Sequence, residues 1–419
     1  MTKEPLEQWI SAHFSKTLGD LMQTMHAKPL REFLAVFNSD NCCQQHCSHC
    51  FMVESKLDVA KRTREQVLAL FGTNSAAVSV RETYFYVQDT LSSLTEVISI
   101  LSDFPQSYLE IDPTVFLSRP SLAHTLRELG VERVAYSIHG DYPEHRALTG
   151  QNQQRWIRLI EGFRAAVRLG LAVEVSSCVY AGNEDRVEAL AEAVDSIGGV
   201  DTWMVNRVVP AGRAREWPLE RFVHSEHCGR AVQKLARCFR AMRNVRCIEF
   251  DVTWGPNYYG YQAKGLLGCR EELERGVYNC HTASDVVRGI RNFWASGFTG
   301  HVYPCVYAIG VEDLRIGQFR NGAIYLDPER ANCYLPERRL GKLIGLCSPD
   351  ACGFAPICVG CRSVAHAFAS RMFPGRPIPS NVGMDFCLTQ YIRDSHEDAA
   401  TMADLSSIVF FPPIRTGET

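Results

Sequence analysis

Between residues 33 and 209 the chain repeats one unit, an apolar strand-like run followed by a segment with helical apolar spacing, and this alternation constrains the fold more than any other feature. Six such units are legible. Their strands are FLAVF (33–37), TYFYV (83–87), YLEID (108–112), RVAYSI (133–138), AVEVSSCVY (172–180) and TWMVNRVV (202–209). Intervening segments such as SLTEVISILSDF, RWIRLIEGFRAAVRLG and RVEALAEAVDSIG place apolar residues three and four apart with charges between them, and turn residues mark the junctions. Strands that alternate with helices predict a parallel sheet with right-handed crossovers.

The strand faces point to where chemistry sits. In the fifth strand Val173, Val175 and Val179 share one face, and Glu174, Ser176 and Cys178 share the other. The third separates Leu109 and Ile111 from Glu110 and Asp112, and the fourth puts Ser137 and His139 on one side. One apolar face under helices and one polar face predict an open barrel with a functional lumen. Ordinary solvated alternation in an antiparallel sheet is the competing reading.

The 17 cysteines are unevenly placed: four lie between Cys42 and Cys50, nine between Cys269 and Cys387, and four in between. A reducing compartment does not maintain structural disulfides, so thiolate–metal bonds in two separate regions are the natural reading. The formal charge of -3 gives no basic signature for nucleic acid. No run is apolar enough to cross a bilayer, and MTKEPLEQWI lacks the layout of a secretory signal, so a soluble cytoplasmic protein without a membrane partner is expected.

Directly after the first strand stands Cys43-Gln-Gln-His-Cys47-Ser-His-Cys50, a C-x3-C-x2-C spacing. Three thiolates in one short loop can ligate three irons of a cubane cluster and leave the fourth iron open to another ligand. A structural zinc site completed by His46 or His49 is the alternative. Cys42 falls outside the triad, because using it changes the first gap.

This spacing after a first strand resembles the radical S-adenosylmethionine (SAM) superfamily, as do SIHGDYPEHRALTG (137–150) and NRVVPAGRA (206–214). The resemblance implies a [4Fe–4S] cluster on Cys43, Cys47 and Cys50 that binds and reductively cleaves SAM, giving a 5′-deoxyadenosyl radical that abstracts hydrogen from a substrate. It also implies an electron donor such as flavodoxin or ferredoxin. Carried over residue by residue, it makes Ser137 a SAM-ribose contact. The second-strand Gly-Gly-Glu element of the family is absent. Val87-Gln88-Asp89 stands in its place, with Asp89 keeping a carboxylate there or serving as a loop cap.

A second constellation lies in the C-terminal third. Cys280 precedes Gly300-His-Val-Tyr-Pro-Cys305, then Cys347-x4-Cys352-x5-Cys358-x2-Cys361 follows, and Cys387 closes the series. This resembles the SPASM extension of radical SAM proteins, although the first and last gaps differ from the usual x2 and x3. The resemblance implies two auxiliary [4Fe–4S] clusters, with Cys269, Cys280, Cys305 and Cys361 around one and Cys347, Cys352, Cys358 and Cys387 around the other. Cys333 competes with Cys269 as the eighth ligand, and zinc ribbons are the alternative for the whole set. Val306 follows Cys305 where sulfatase-maturing relatives carry an aspartate base, which disfavours that alcohol oxidation.

The expected fold is therefore α/β, a partial (β/α)6 TIM-like barrel with an irregular C-terminal iron–sulfur cluster module. Its expected divisions are an N-terminal helical extension (1–31), the radical SAM barrel (32–224), a connecting segment (225–268), a SPASM-like auxiliary cluster domain (269–390) and a tail (391–419). The aromatic run from Trp254 to Tyr261 is read as the bridge between barrel and module, or as the substrate entrance. The expected function is oxidative or radical modification of a ribosomally made peptide. Dehydrogenation or epimerisation of a small polar metabolite, such as an aminocyclitol or sugar, is the runner-up, and a zinc-binding scaffold is the non-enzyme alternative. Cys178 is a candidate hydrogen donor or a small core thiol, and Glu110, Asp112 and His139 are acid, base or substrate-binding candidates or structural groups.

Overall fold

The computed structural model describes residues 31–39, 47–51, 79–87, 108–131, 133–255, 290–296, 299–320, 323–330, 347–348, 350–352, 361–379, 382–388 and 390–391. Its frame is one 11-stranded sheet in the order β11-β10-β9-β8-β1-β2-β3-β4-β5-β6-β7. The first six strands, β1 (Arg31–Ser39), β2 (Ser79–Val87), β3 (Tyr108–Ile111), β4 (Arg133–Ser137), β5 (Val173–Val179) and β6 (Val200–Arg207), pair in parallel and in sequence, as the six-unit period predicts. Among the described residues β7 and β11 do not pair, so the sheet curves as a partial barrel open between those edges.

The sheet reaches further than six units. Residues 225–250, expected within a connecting segment, supply a helix and then β7 (Val245–Phe250), which pairs in parallel with β6. On the other side β8 (Ile290–Ser296) pairs in parallel with β1, and β9 (His301–Tyr303), β10 (Gly317–Arg320) and β11 (Ala323–Leu326) continue antiparallel.

The helices of this part are α1 (Leu122–Glu128), α2 (Tyr142–Thr149), α3 (Gln153–Arg168), α4 (Val187–Asp195) and α5 (Ser225–Ala241), of which α1, α3, α4 and α5 cover the apolar face. Local sequence sets their ends. The Asn152 side chain caps α3 by accepting from Arg155 N at 2.9 Å. Asp141 caps α2, which stops at Gly150 in the left-handed region at φ 73°. Within α3, Leu159, Ile160, Phe163 and Ala166 are buried at helical spacing against Leu109, Ile111, Val134, Val173 and Val175 of the sheet. Each large apolar side chain so enclosed contributes about 1.5–3 kcal/mol. Gly162 lets α3 approach the end of β3, since a Cβ there would stand 2.6 Å from Pro113 C.

The described C-terminal third is built differently. It has short 3-10 turns at Val306–Ala308 and Glu312–Leu314, one helix, α6 (Arg362–Met372), and isolated turns around Cys352 and Cys387. Trp254 is fully buried at its junction with the barrel, donating through Nε1 to Val205 O at 3.0 Å and packing against Phe250 and Phe386.

Candidate active site

Strand register turns the polar face into rows. Glu110, Ala135, Glu174, Thr202 and Cys247 are successive Cα partners across β3 to β7. The next row is Ser137, Ser176, Met204 and Glu249, and the last pairs Cys178 with Asn206. Partners in register project to the same side, so Glu110, Ser137 and Cys178 share one face while Val173, Val175 and Val179 lie in the helix-covered core. Ala135 is small and separates the two carboxyl groups of its row. Glu174 pairs with Arg133 at 2.7 Å. Burial, and secondarily the charge of Glu174, push the Glu110 carboxyl up to about 8.

The cysteine turn closes over the C-terminal ends of these strands, the edge at which parallel α/β sheets place their sites. Cys50 N–H donates to Cys47 O at 3.3 Å, giving a tight turn. The segments flanking the fourth and sixth strands hold it from two sides. Ser48 N–H donates to Leu148 O of α2 at 2.9 Å, and Arg213 N–H donates to Cys50 O at 2.9 Å. Gly212, at φ 55°, lies so close to Cys50 O and Phe51 that any Cβ would overlap them. The turn brings its cysteines beside Cys178: burial pushes the Cys178 thiol well above its ordinary range, and Cys47, Asp251, Cys50 and Glu110 push in the same direction. Cys178 therefore stays an uncharged thiol.

Next to it is a group of imidazoles. Ligand atoms of His49, His139 and Cys178 lie within 4.8 Å of one another, and the His49 and His139 rings meet edge-on at 4.4 Å. His139 Nδ1 accepts from Cys178 N–H at 3.2 Å, which assigns its proton to Nε2. A metal-bound imidazole keeps a proton on its other nitrogen and donates it outward. His139 does the opposite, so this trio suits hydrogen bonding rather than an ion. Burial holds His139 well below its usual range, followed by the charges of His49 and His145. His145 Nδ1 in turn accepts from His139 N–H at 3.3 Å, its Nε2 faces Gln151 Oε1 at 3.2 Å, and burial lowers it to about 4.

Other candidates fall out differently. Asp112 accepts from Thr114 N at 2.9 Å and Thr114 Oγ1 at 2.7 Å and pairs with Arg155 of α3, so it tethers a helix to the sheet. Cys305 Sγ lies 2.8 Å from Ser363 Oγ at the head of α6, directly after Cys361 and its neighbour Arg362. Cys347 and Cys361 are buried in a secondary core with Trp217, Phe222 and Phe368, whereas Cys352 is buried in the main core with Phe386 and Leu388, and Cys387, between those two residues in sequence, is also buried. Cys43, Asp89, Cys269, Cys280, Cys333 and Cys358 lie outside the described residues.

Four residues to which the sequence assigns no individual role complete the site: Asn206, Arg207, Asp251 and Tyr307. Asn206 Nδ2 donates to Ser176 Oγ at 3.0 Å, and Tyr307 donates to Asp251, which follows β7. Behind them Arg207 is fully enclosed. It forms a two-pronged pair with Asp385 at 2.8 Å on each arm, donates to Thr253 O at 3.1 Å, and lies over the Phe368 ring at 4.7 Å. The stretch 206–214 already stands out in the sequence, but its partners are too distant in the chain to leave a local signal.

The residues fit the cofactor that the cysteine spacing implies. Cys47 and Cys50 share one turn, and the missing side chain at Gly212 is what lets the backbone sit beneath it. Among the described residues no helix is long and apolar enough to cross a membrane.

Comparison with known proteins gives the same frame. No curated protein matches the chain by sequence. Streptococcus suis SuiB bound to the precursor peptide SuiA is similar at a TM-score of 0.59 and 12% identity, covering 91% of this chain and 81% of that one. SuiB bound to S-adenosylmethionine is similar at a TM-score of 0.55 and 12% identity, covering 88% and 78%. anSMEcpe with bound AdoMet is similar at 0.57 and 12% identity, covering 90% and 100%. At such identity these likenesses speak for the fold. Residues 38–197, from the end of β1 past α4, match the model of the Radical SAM superfamily.

Proposed function

We propose that the protein is a radical SAM enzyme that modifies a ribosomally made peptide. The observation that carries this reading is the Cys47–Cys50 turn, docked over the polar face of the barrel beside Cys178 and His139. Cys43, Cys47 and Cys50 would hold a [4Fe–4S] cluster, which together with SAM supplies a 5′-deoxyadenosyl radical for hydrogen abstraction. Ser137 and Asp89 would contact SAM. Gly212 and Arg213 fix the turn's backbone, and the helices behind the sheet exclude water from the apolar side. His139 is neutral, with its proton on Nε2. Cys178 is a thiol rather than a thiolate, the state in which an S–H hydrogen can pass to a substrate carbon radical, forming C–H and leaving a thiyl radical.

Cys269, Cys280, Cys305 and Cys361 would hold one auxiliary cluster and Cys347, Cys352, Cys358 and Cys387 the other, within a SPASM-like domain over 269–390. The contact of Cys305 with Ser363, two residues past Cys361, supports the first grouping. Such clusters give an electron path, with flavodoxin or ferredoxin as the external donor. The precursor peptide bound to SuiB supports a peptide substrate. A small polar metabolite is the second reading, favoured by the carboxyl groups of Glu110, Glu174 and Glu249 along the polar face.

The test is anaerobic reconstitution with iron and sulfide, reduction, and mass spectrometry of 5′-deoxyadenosine from added SAM. The expected outcome is a brown protein that forms 5′-deoxyadenosine. An iron-loaded protein that forms none contradicts the enzyme reading, and a colourless protein that takes up zinc but no iron or sulfide favours the scaffold.

A further inference from the structure

Tyr307 belongs to the C-terminal third yet reaches the N-terminal cysteine turn. It stands in the 3-10 turn Val306–Ala308, two residues past Cys305, and Ala308 N–H closes that turn by donating to Cys305 O at 3.1 Å. Its ring lies 5.3 Å from the ring of Phe51 at a tilt of 44°, and Phe51 directly follows Cys50. Its hydroxyl donates to Asp251, with Asn206 Oδ1 3.2 Å away. A hydroxyl has one proton, and the nearer, charged carboxylate takes it.

Both anchors are fixed. Asp251 is 1% exposed and its N–H donates to Val205 O at 3.0 Å, while Asn206 is tied to Ser176 on the polar face. On its backbone side Phe51 abuts Gly212. The residue after the last cysteine of the turn is thus held between a glycine that follows β6 and an aromatic ring supplied from beyond residue 300.

We propose that Tyr307 is a positioning residue for the Cys47–Phe51 turn, so that the C-terminal third helps build the SAM-binding site. This rests on the reading of that turn as the SAM-cluster loop. The ring bears on Phe51, and the hydroxyl fixes the ring by anchoring it to Asp251. An aromatic pair of this kind changes an equilibrium constant by up to about tenfold.

The probe is SAM itself, added to the full-length, anaerobically reconstituted protein. The readouts are the dissociation constant, iron per chain, and the change that SAM induces in the electron paramagnetic resonance of the reduced cluster. Tyr307→Leu removes the ring contact and is expected to weaken SAM about tenfold and diminish the spectral change at unchanged iron content. Tyr307→Phe keeps the ring and loses the hydroxyl, and is expected to weaken SAM about threefold. Phe51→Leu removes the same contact from the other partner and should match Tyr307→Leu, even where the latter disturbs the C-terminal segment. Wild-type SAM affinity and an unchanged spectrum in Phe51→Leu overturn the proposal, whatever Tyr307→Leu does. A wild-type protein that loads iron but shows no SAM-dependent spectral change overturns the parent reading instead.

Discussion

The barrel and the C-terminal cysteine segments are stabilised in different ways. In the barrel a single apolar core joins sheet and helices, with Leu109, Val134, Val173, Val175, Val205, Leu159, Phe163 and Val194 all inside it. The described C-terminal segments have few regular elements; they share apolar surface with the barrel through Phe386, Leu388 and Phe368 and add individual contacts: Arg207 to Asp385, Arg371 to Trp217 O at 3.1 Å, Gly255 beneath Cys387, and Tyr307 against Phe51. Distributed burial tolerates the loss of one group, whereas a point contact does not. The barrel is thus encoded by periodicity, while the described C-terminal segments add a few long-range polar latches to the apolar surface they share with it.

The largest effect is expected where a latch breaks. Asp385→Ala leaves the enclosed Arg207 guanidinium without its carboxylate, which costs about 3 kcal/mol. Urea denaturation checks it, and a loss under about 1 kcal/mol would show that the latch is not holding the two regions together. Gly212→Ala comes next. It forces a side chain into a left-handed backbone position against Cys50 and costs about 2 kcal/mol. Iron analysis should show loss at the N-terminal site and retention at the C-terminal sites; loss at both would mean that the regions share one folding unit.

Glu110 sharpens the contrast from inside the barrel. Its folded-state value of about 8 lies above the ordinary 4.5, so between those values the folded chain holds a proton that the unfolded chain has released. Stability from this group therefore falls as pH rises from about 4.5 to 8 and is level above. Glu110→Gln should flatten that slope and add about 1 to 2 kcal/mol at pH 8, allowing for the group's partial exposure. A slope unchanged in the variant assigns it to other groups. The smallest effect on the barrel is expected from Cys358→Ala, within about 0.5 kcal/mol. That variant should lose C-terminal iron and substrate conversion while still cleaving SAM, and full conversion with depleted C-terminal iron would show that the auxiliary site is dispensable.

How much of this was legible follows from where the signals sit in the chain. The six strands are readable because apolar residues recur within a few positions, and the cysteine turn because its thiols are neighbours in sequence. The segments 137–150 and 206–214 also stand out, and the structure uses both to hold that turn through Leu148, Gly212 and Arg213. The seventh strand is harder to read, since Val245–Phe250 follows no clean alternation, with three consecutive buried residues at its end. Arg207 with Asp385 and Asn206 with Tyr307 are separated by 178 and 101 residues, and contacts of that range leave no local pattern. Asp112 matches the face pattern for the lumen, yet a nearby threonine and an arginine on α3 engage it. Alternation gives a side chain's face but not its partner.

On the function proposed above, the cysteine turn over the polar face is where SAM is cleaved. The most direct measurement compares 5′-deoxyadenosine formation by the reconstituted wild-type protein with that of the Cys43→Ala, Cys47→Ala, Cys50→Ala triple variant, with iron determined in both. The account predicts product from the wild type, none from the variant, and C-terminal iron retained in each. Persistent 5′-deoxyadenosine formation by the triple variant would contradict it.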